Sequence, residues 1–453
     1  MIKFSRRLFW LTSSFVKKYY RLILTSLVVS LIVGLVANKI VGKLPGQTST
    51  VRLGLVGQYT SQSLPPLVKN ILNSGLTKVG PKQTIVENLA SWEVTAEGKR
   101  YIFTLKPGLA WSDGSPVKAA DIIISIPDVN IQFAGDDKII FTLPQAFTPF
   151  PSVLTNPVTN KEGLTASVYQ VNLTQNTNGV LSKIQLKSAD QTIIVRPFPS
   201  TAQALTAYKL GEIDAVYNYP KVGDLNLSPY GTVRETRNYH QAIAIFFNNQ
   251  DPTLKDKSIR QAIAYALTEK SFGHDRALGP ISAASWAYNP LVKLYEPDER
   301  KAADLIKNNL PGKNQVLNLE LATIPAYLPV AEKIKNQLDP NLISLNIKVV
   351  TSRPDSYQLY LTLFDIGADP DQYVFWHSTA AANNISKTSD ERLDKDLEDG
   401  RRTLDPNERK RIYTDFQRTF AEELPALFLF YPTYSNLARR EAVFAIIKPE
   451  LAL

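Results

Sequence analysis

The 453-residue chain contains no cysteine, three histidines and a single methionine. Without cysteine there is no disulfide, no thiolate metal site, no cysteine nucleophile and no lipid-modified cysteine after a signal segment. The three histidines, His240, His274 and His377, have no HExxH-like spacing, so neither a metal nor a cofactor is expected. P-loop, GxGxxG and GxSxG motifs are also missing, and nothing pairs a histidine with an activated serine. Enzymatic chemistry is therefore the weakest class. Glycine (21) is outnumbered by proline (29), which favours fixed loops over flexible linkers.

Acidic residues are absent from residues 1–43, which carry eight Lys/Arg. The net charge of +9 resides there, because the remainder balances 43 basic against 42 acidic residues. No basic stripe marks the folded part, so nucleic acid is not an expected partner. Leu22 to Ala37 is uncharged and mostly apolar, and Ile40 and Val41 extend it. A bilayer needs about 20 helical residues. Six positive charges precede the run and two follow, which places the N-terminus in the cytoplasm. The expected layout is a cytoplasmic basic segment (1–21), a transmembrane anchor (22–41), a linker (42–50) and an extracytoplasmic body. A cleaved signal peptide is the rival; the long apolar run and the poor small-x-small site at Leu35-Val36-Ala37 favour the anchor.

Within the body, VRLGLV (51–56) alternates as a strand and Leu64–Leu76 holds a short helix. YIFTLKPGLAWSDG (101–114) alternates before a Pro-Gly turn, and KIIFTL and QTIIVRPF are further strands. Ser115 and Pro116 have the form of a helix start over 116–125. Ser200 or Thr201 caps a helix that ends at Gly211. AIAIFFNNQ (242–250) is nearly all apolar and reads as a central strand. DKSIRQAIAYALTEKSF (256–272) is an amphipathic helix. Asp405, Pro406 and Glu408 make a capping box for the last long helix, and LFLFY (427–431) follows as a strand. Alternating strands and helices over 300–432 predict an α/β lobe with a mostly parallel sheet.

Four blocks, in this order, resemble family 5 extracellular solute-binding proteins, the peptide- and nickel-binding components of ABC importers. They are ENLASWEVTAEGKRYIFTLKPGLAWSDGSPVKAADI (87–122), LGEIDAVYNYP (210–220), FNNQDPTLKDKSIRQAIAYALTEKSF (247–272), and ADPDQYVFWHS with its downstream helix and LPALFLFYP. The resemblance implies an α/β, two-lobed periplasmic-binding-protein-like clamshell of type II. Lobe I, β-rich, would comprise 51–247 plus 432–453, and lobe II 248–431. One crossing is expected near Phe247–Gln250 and the return near Phe430–Tyr434. Only about 15 residues separate Ala120–Ile124 from KIIFTL, so the small extra domain of the family looks trimmed.

The stretch FDIGADPDQYVFWHS (364–378) gathers Asp365, Asp369 and Asp371 with Tyr373, Phe375, Trp376 and His377. Family peptide binders set an aspartate against the peptide α-amino group, and Asp369 matches that position, although the aromatic residue that commonly precedes the motif is replaced by Ile366-Gly367. Asp371, Tyr373, Trp376 and Tyr59 are the further candidate ligand contacts. The alternatives are that Asp369 caps the turn at Pro370, Asp371 serves a helix dipole, and the aromatic residues pack in the core. Trp92, Trp111 and Arg260 read as structural. The expected function is a monomeric, membrane-anchored binding protein that captures an oligopeptide or similar solute and delivers it to an ABC permease. A sensor or envelope-assembly module on the same fold is the alternative.

Overall fold

The computed structural model describes residues 17–22, 24–26, 29–30, 49–60, 64–177, 179–220, 228–310 and 316–447. Two compact units divide the chain: 1–50 with 189–192, and 51–188 with 193–453. In the first, the described residues between 17 and 30 are helical. Most of the expected anchor at 22–41 lies outside the described residues, and among those described no helix is long and apolar enough to cross a membrane.

The second unit contains three larger sheets. Strand β1 (Ser49–Val56) starts the first, followed by a hairpin of β2 (Thr77–Val79) and β3 (Ile85–Glu87). An antiparallel four-stranded sheet comes next: β4 (Ala90–Thr95), β5 (Arg100–Leu105), β6 (Asn130–Ala134) and β7 (Lys138–Thr142), in the order β4-β5-β7-β6. Its alternating residues Tyr101, Phe103, Ile139 and Phe141 are buried, with Phe150 closing the core and Trp92 stacked 5.9 Å from Phe103. The first sheet resumes with β8 (Gln170–Thr177), β9 (Val180–Lys187), β10 (Gln191–Phe198), β11 (Ala215–Pro220) and β12 (Thr232–Arg237). Between β10 and β11, Ser200 caps a helix over Thr201–Lys209, its side chain accepting from the Gln203 amide.

The six-stranded sheet holds β13 (Gln241–Phe247), β14 (Asp275–Arg276), β15 (Leu317–Thr323), β16 (Ile343–Val349), β17 (Leu359–Asp365) and β18 (Ala426–Tyr431). Its order is β14-β18-β13-β17-β15-β16. β19 (Thr433–Ala438) then returns to the first sheet, between β12 and β11. Apolar β13 lies between β17 and β18, antiparallel to both. The parallel pairs in this sheet are β15 with β16 and β15 with β17, and the others are antiparallel, so the sheet is mixed, not mostly parallel. Because β13 belongs to this sheet, the outward crossing falls at Asn238–His240, one strand before the expected 247–250. The return passes through Pro432.

No α-helix forms at 116–125. Asp113 Oδ1 accepts from both the amide and hydroxyl of Ser115, making a turn, and only a single helical turn at Ala119–Asp121 follows. Arg260 is 4% exposed and donates to the carbonyls of Leu254, Lys255, Glu423 and Leu424, tying its helix (Lys257–Ala266) to the end of the helix Pro406–Glu423. Four charge-assisted contacts to carbonyls satisfy the buried guanidinium without an acid.

Candidate functional site: the cleft at the two crossings

The two strand crossings run side by side, with the Asn238 amide donating to the Pro432 carbonyl at 3.0 Å. The outward crossing, Asn238–Gln241, lines a cleft of about 480 Å³. One wall comes from the seven-stranded sheet and the helix after β1: Leu55, Val56, Tyr59, Pro66, Asn70, Tyr217 and Asn218. The other comes from the crossing and the six-stranded sheet: Asn238, His240, Gln241, Asp365 and Ile366, with Thr236 and Arg237 at the end of β12 leading into it. That volume suits a small solute, since ligand pockets run from about 300 to 1,000 Å³.

Tyr59 reaches the cleft because β1 is followed by Gly57, whose φ is +136°. A Cβ there would sit 3.2 Å from the Tyr59 hydroxyl, so glycine gives the ring its place. Burial pushes the Tyr59 phenol up, keeping it a neutral hydrogen-bonding group.

Across the cleft stands an ordered polar relay. Gln241 and Asp365 are paired residues of β13 and β17. Gln241 Nε2 donates to Asp365 Oδ1 at 2.7 Å, while Gln241 Oε1 accepts from the Tyr434 hydroxyl and from Asn238 Nδ2, each at 2.9 Å. Burial drives the Tyr434 phenol upward, and the Asp365 charge reinforces it. The Tyr327 phenol, for the same two causes, rises to about 12. Asp365 is exposed and is the one acid among the described residues lining this cleft. The lining arginine among the described residues, Arg237, pairs with Asp275 at 2.9 Å, and Asp275 also accepts from the Tyr239 hydroxyl at 2.7 Å.

Of the sequence-predicted contacts, Tyr59 lines the cleft; Asp369, Asp371, Tyr373 and Trp376 do not. Asp369 is held by Arg409 through two bonds, Nη2 to Oδ1 at 2.6 Å and Nη1 to Oδ2 at 3.0 Å. Its Oδ1 also accepts from the Asp371 amide at 2.9 Å. Asp371 pairs with Arg401 Nε at 2.9 Å and accepts from the Tyr373 amide. Burial raises the Asp371 carboxyl against the opposing pull of Arg401. Trp376 is 1% exposed, stacked on Phe246 at 5.7 Å and edge-on to Phe420 at 4.6 Å. Tyr373 stacks on His377 and lies under the Arg401 guanidinium at 4.1 Å, beside a second cavity of about 870 Å³. The physical reason is internal pairing. Arginines from the helix Glu391–Arg402 and the helix Pro406–Glu423 claim both carboxylates.

Sequence reasoning passed over Asp365, Gln241, Asn238 and His240 as site residues. The signal for the first was available: Asp365 is the last residue of a strand whose apolar positions precede it, so it emerges at the strand's end.

The chain matches the profile described as bacterial extracellular solute-binding proteins, family 5, middle, over residues 84–162 and 187–386. The probable D,D-dipeptide-binding periplasmic protein of Escherichia coli is 22% identical over 431 residues, covering 80% of this chain and 82% of that one. The E. coli dipeptide-binding protein is 21% identical, covering 82% and 85%. Among solved structures, NikZ from Campylobacter jejuni, in complex with Ni(L-His), superposes with a TM-score of 0.70 at 20% identity, covering 87% and 95%. The oligopeptide-binding protein AppA of Bacillus subtilis, in complex with a nonapeptide, superposes at 0.68 with 18% identity, covering 88% and 95%. The chain belongs to the family 5 extracellular solute-binding proteins. Its fold is the mixed α/β, two-lobed fold of periplasmic binding proteins, and its role is to bind a solute, not to turn one over.

Proposed function

We propose that this family 5 protein is a membrane-anchored, extracytoplasmic receptor that takes an oligopeptide or similar small solute into the cleft at Asn238–Gln241 and passes it to an ABC permease. The observation that carries the reading is the position of the cleft. It is lined by the outward crossing and by residues of both sheets, so a solute touching the two walls binds the closed arrangement best and shifts the population toward it. Peptide-binding relatives support a peptide, and the cleft volume of about 480 Å³ supports a short one.

Asp365 is the group proposed to meet a solute ammonium. Its carboxylate is oriented by Gln241 and is paired with no arginine among the described residues, so it can form a short charge-assisted bond. Tyr59 faces the solute from the opposite wall. Asp369, Asp371, Tyr373 and Trp376 brace the second wall from behind. The basic N-terminus and the apolar run at 22–41 supply the tether.

Native mass spectrometry of the full-length chain, purified without denaturant and mixed with a casein digest, tests this. Added masses that resolve into short peptides, and that are lost in Asp365→Asn, are the expected result. A bare mass after incubation would refute the peptide reading.

A further inference from the structure

The second cavity, of about 870 Å³, lies where the four-stranded sheet's connections meet the helix Glu391–Arg402, and it shares no lining residue with the solute cleft. On one side stand Val129, just before β6, and Leu143, Phe147 and Phe150, after β7; on the other stand Tyr373 and Val374. Val153 and Val374 line it while each 41% exposed, so apolar surface is left uncovered there. A mostly apolar hollow of this size is of the kind that encloses a small molecule, provided a few polar groups fix its orientation.

One such group is held in place from several directions. The Arg401 carbonyl accepts from the Thr148 amide at 2.8 Å, which ties the last helical turn to the segment after β7. Its guanidinium lies over the rings of Tyr373 at 4.1 Å and Phe147 at 5.0 Å, and Nε donates to Asp371 Oδ2 at 2.9 Å. A guanidinium can meet a carboxylate along either of two edges, Nε with one Nη or the two Nη together. Asp371 takes the first. Among the described residues the two Nη nitrogens have no hydrogen bond, and the side chain, 22% exposed, lines the cavity. Of the other charged lining residues, Arg402 pairs with Glu398 at 3.7 Å, Glu398 also lies 3.3 Å from His377 Nε2, and Asp128 is exposed. Two acids near one open edge disfavour a doubly charged phosphate, whereas a flat, singly charged carboxylate matches that edge with two parallel bonds. We propose that this cavity is a second ligand site, separate from the cleft at Asn238–Gln241, and that it takes an amphipathic monocarboxylate. Its carboxylate sits on the two Nη groups of Arg401, and its apolar body lies against Val129, Leu143, Phe147 and Val374. The site does not depend on what the solute cleft binds.

Equilibrium dialysis of the full-length chain, solubilised in an amphipathic polymer, against radiolabelled octanoate tests the site. Octanol and octylammonium serve as competitors with the same body and a different head, and acetate as the head alone. Uptake by the polymer is common to every variant and cancels in the comparison. The expected result is one octanoate per chain, with each competitor at least about tenfold weaker, because an uncharged, wrongly charged or tail-less ligand forgoes either the paired charge-assisted bonds or the apolar contact. Arg401→Lys keeps a cation for Asp371 but loses the fork, and should weaken octanoate by about tenfold or more. Val374→Asp sets a carboxylate against the apolar body at an exposed position, and should abolish uptake; it keeps the test decisive if the lysine variant folds poorly. Wild-type uptake no greater than that of Val374→Asp would overturn the site. Octanol competing as strongly as octanoate, or a folded Arg401→Lys that binds as tightly as wild type, would overturn the assignment of the carboxylate to Arg401.

Discussion

Replacing Asp369 with alanine separates two roles that its sequence context leaves entangled, ligand anchor and internal brace. The Asp369 and Arg409 side chains are 12% and 7% exposed and share a two-bond contact at 2.6 and 3.0 Å. Removing one partner of a buried pair costs about 3–5 kcal/mol, because the remaining charge stays desolvated. Arg409 would keep its Nε bond to the Gly400 carbonyl at 2.8 Å and its contact with the Tyr413 hydroxyl at 3.3 Å, which argues for the lower end. The Asp371 amide would also lose its acceptor on Asp369, adding roughly 1 kcal/mol. A loss of about 4 kcal/mol in urea unfolding is the expected outcome, read as a lower midpoint at an unchanged slope. The double replacement Asp369→Leu with Arg409→Met should recover most of it, since a whole buried pair exchanged for apolar side chains is often neutral. Solute binding, measured where the single variant is still folded, should change little. An unfolding midpoint equal to wild type, together with abolished solute binding, would refute the brace and restore Asp369 as the anchor.

Three further outcomes follow from the packing and the charges. Trp376→Ala, at 1% exposure among Phe246, Phe364, Phe420 and Phe428, should cost about 3–5 kcal/mol in denaturant unfolding. Gly400→Ala would place its Cβ 2.8 Å from the Tyr413 ring, which is fully buried, so the same assay should show a loss of about 1–3 kcal/mol despite alanine's better helix propensity. Burial, helped by nearby Arg276, lowers the Lys270 ammonium to about 8, so between about pH 8 and 10 the unfolded chain holds a proton that the folded one has shed. Stability therefore rises with pH across that window, by an amount on the order of 1–3 kcal/mol, and Lys270→Met should flatten the rise in a pH series of unfolding midpoints.

Local signals that name their own partner were legible in the sequence. The Asp405-Pro406-Glu408 box caps the helix where expected, with Asp405 accepting from the Glu408 amide at 2.7 Å. The apolar run 242–247 does form a central strand. It could not reveal which sheet it was central to, because a strand buried on both faces reads the same in either, and so the crossing moved by one strand. Ser115-Pro116 has the chemistry of a helix start, but Asp113 captures the serine in a turn, and the β-branched Ile122–Ile124 that follow favour extended backbone.

The candidate site shows the same limit more sharply. Asp365, Asp369 and Asp371 stand within seven residues, and spacing alone makes them one acidic patch. What separates them is a pair of arginines 30 and 40 positions downstream. Arg401 reaches Asp371 from the last turn of one helix, and Arg409 reaches Asp369 from the first turns of the next, so folding neutralises two of the three charges. Asp365 escapes because the strand ends there and its cross-strand neighbour is Gln241, a neutral donor that orients the carboxylate without cancelling it. A carboxylate's availability to a solute is thus set less by its own motif than by which distant cations the fold delivers to it, and in this chain they arrive at Asp369 and Asp371 and leave Asp365 facing the cleft.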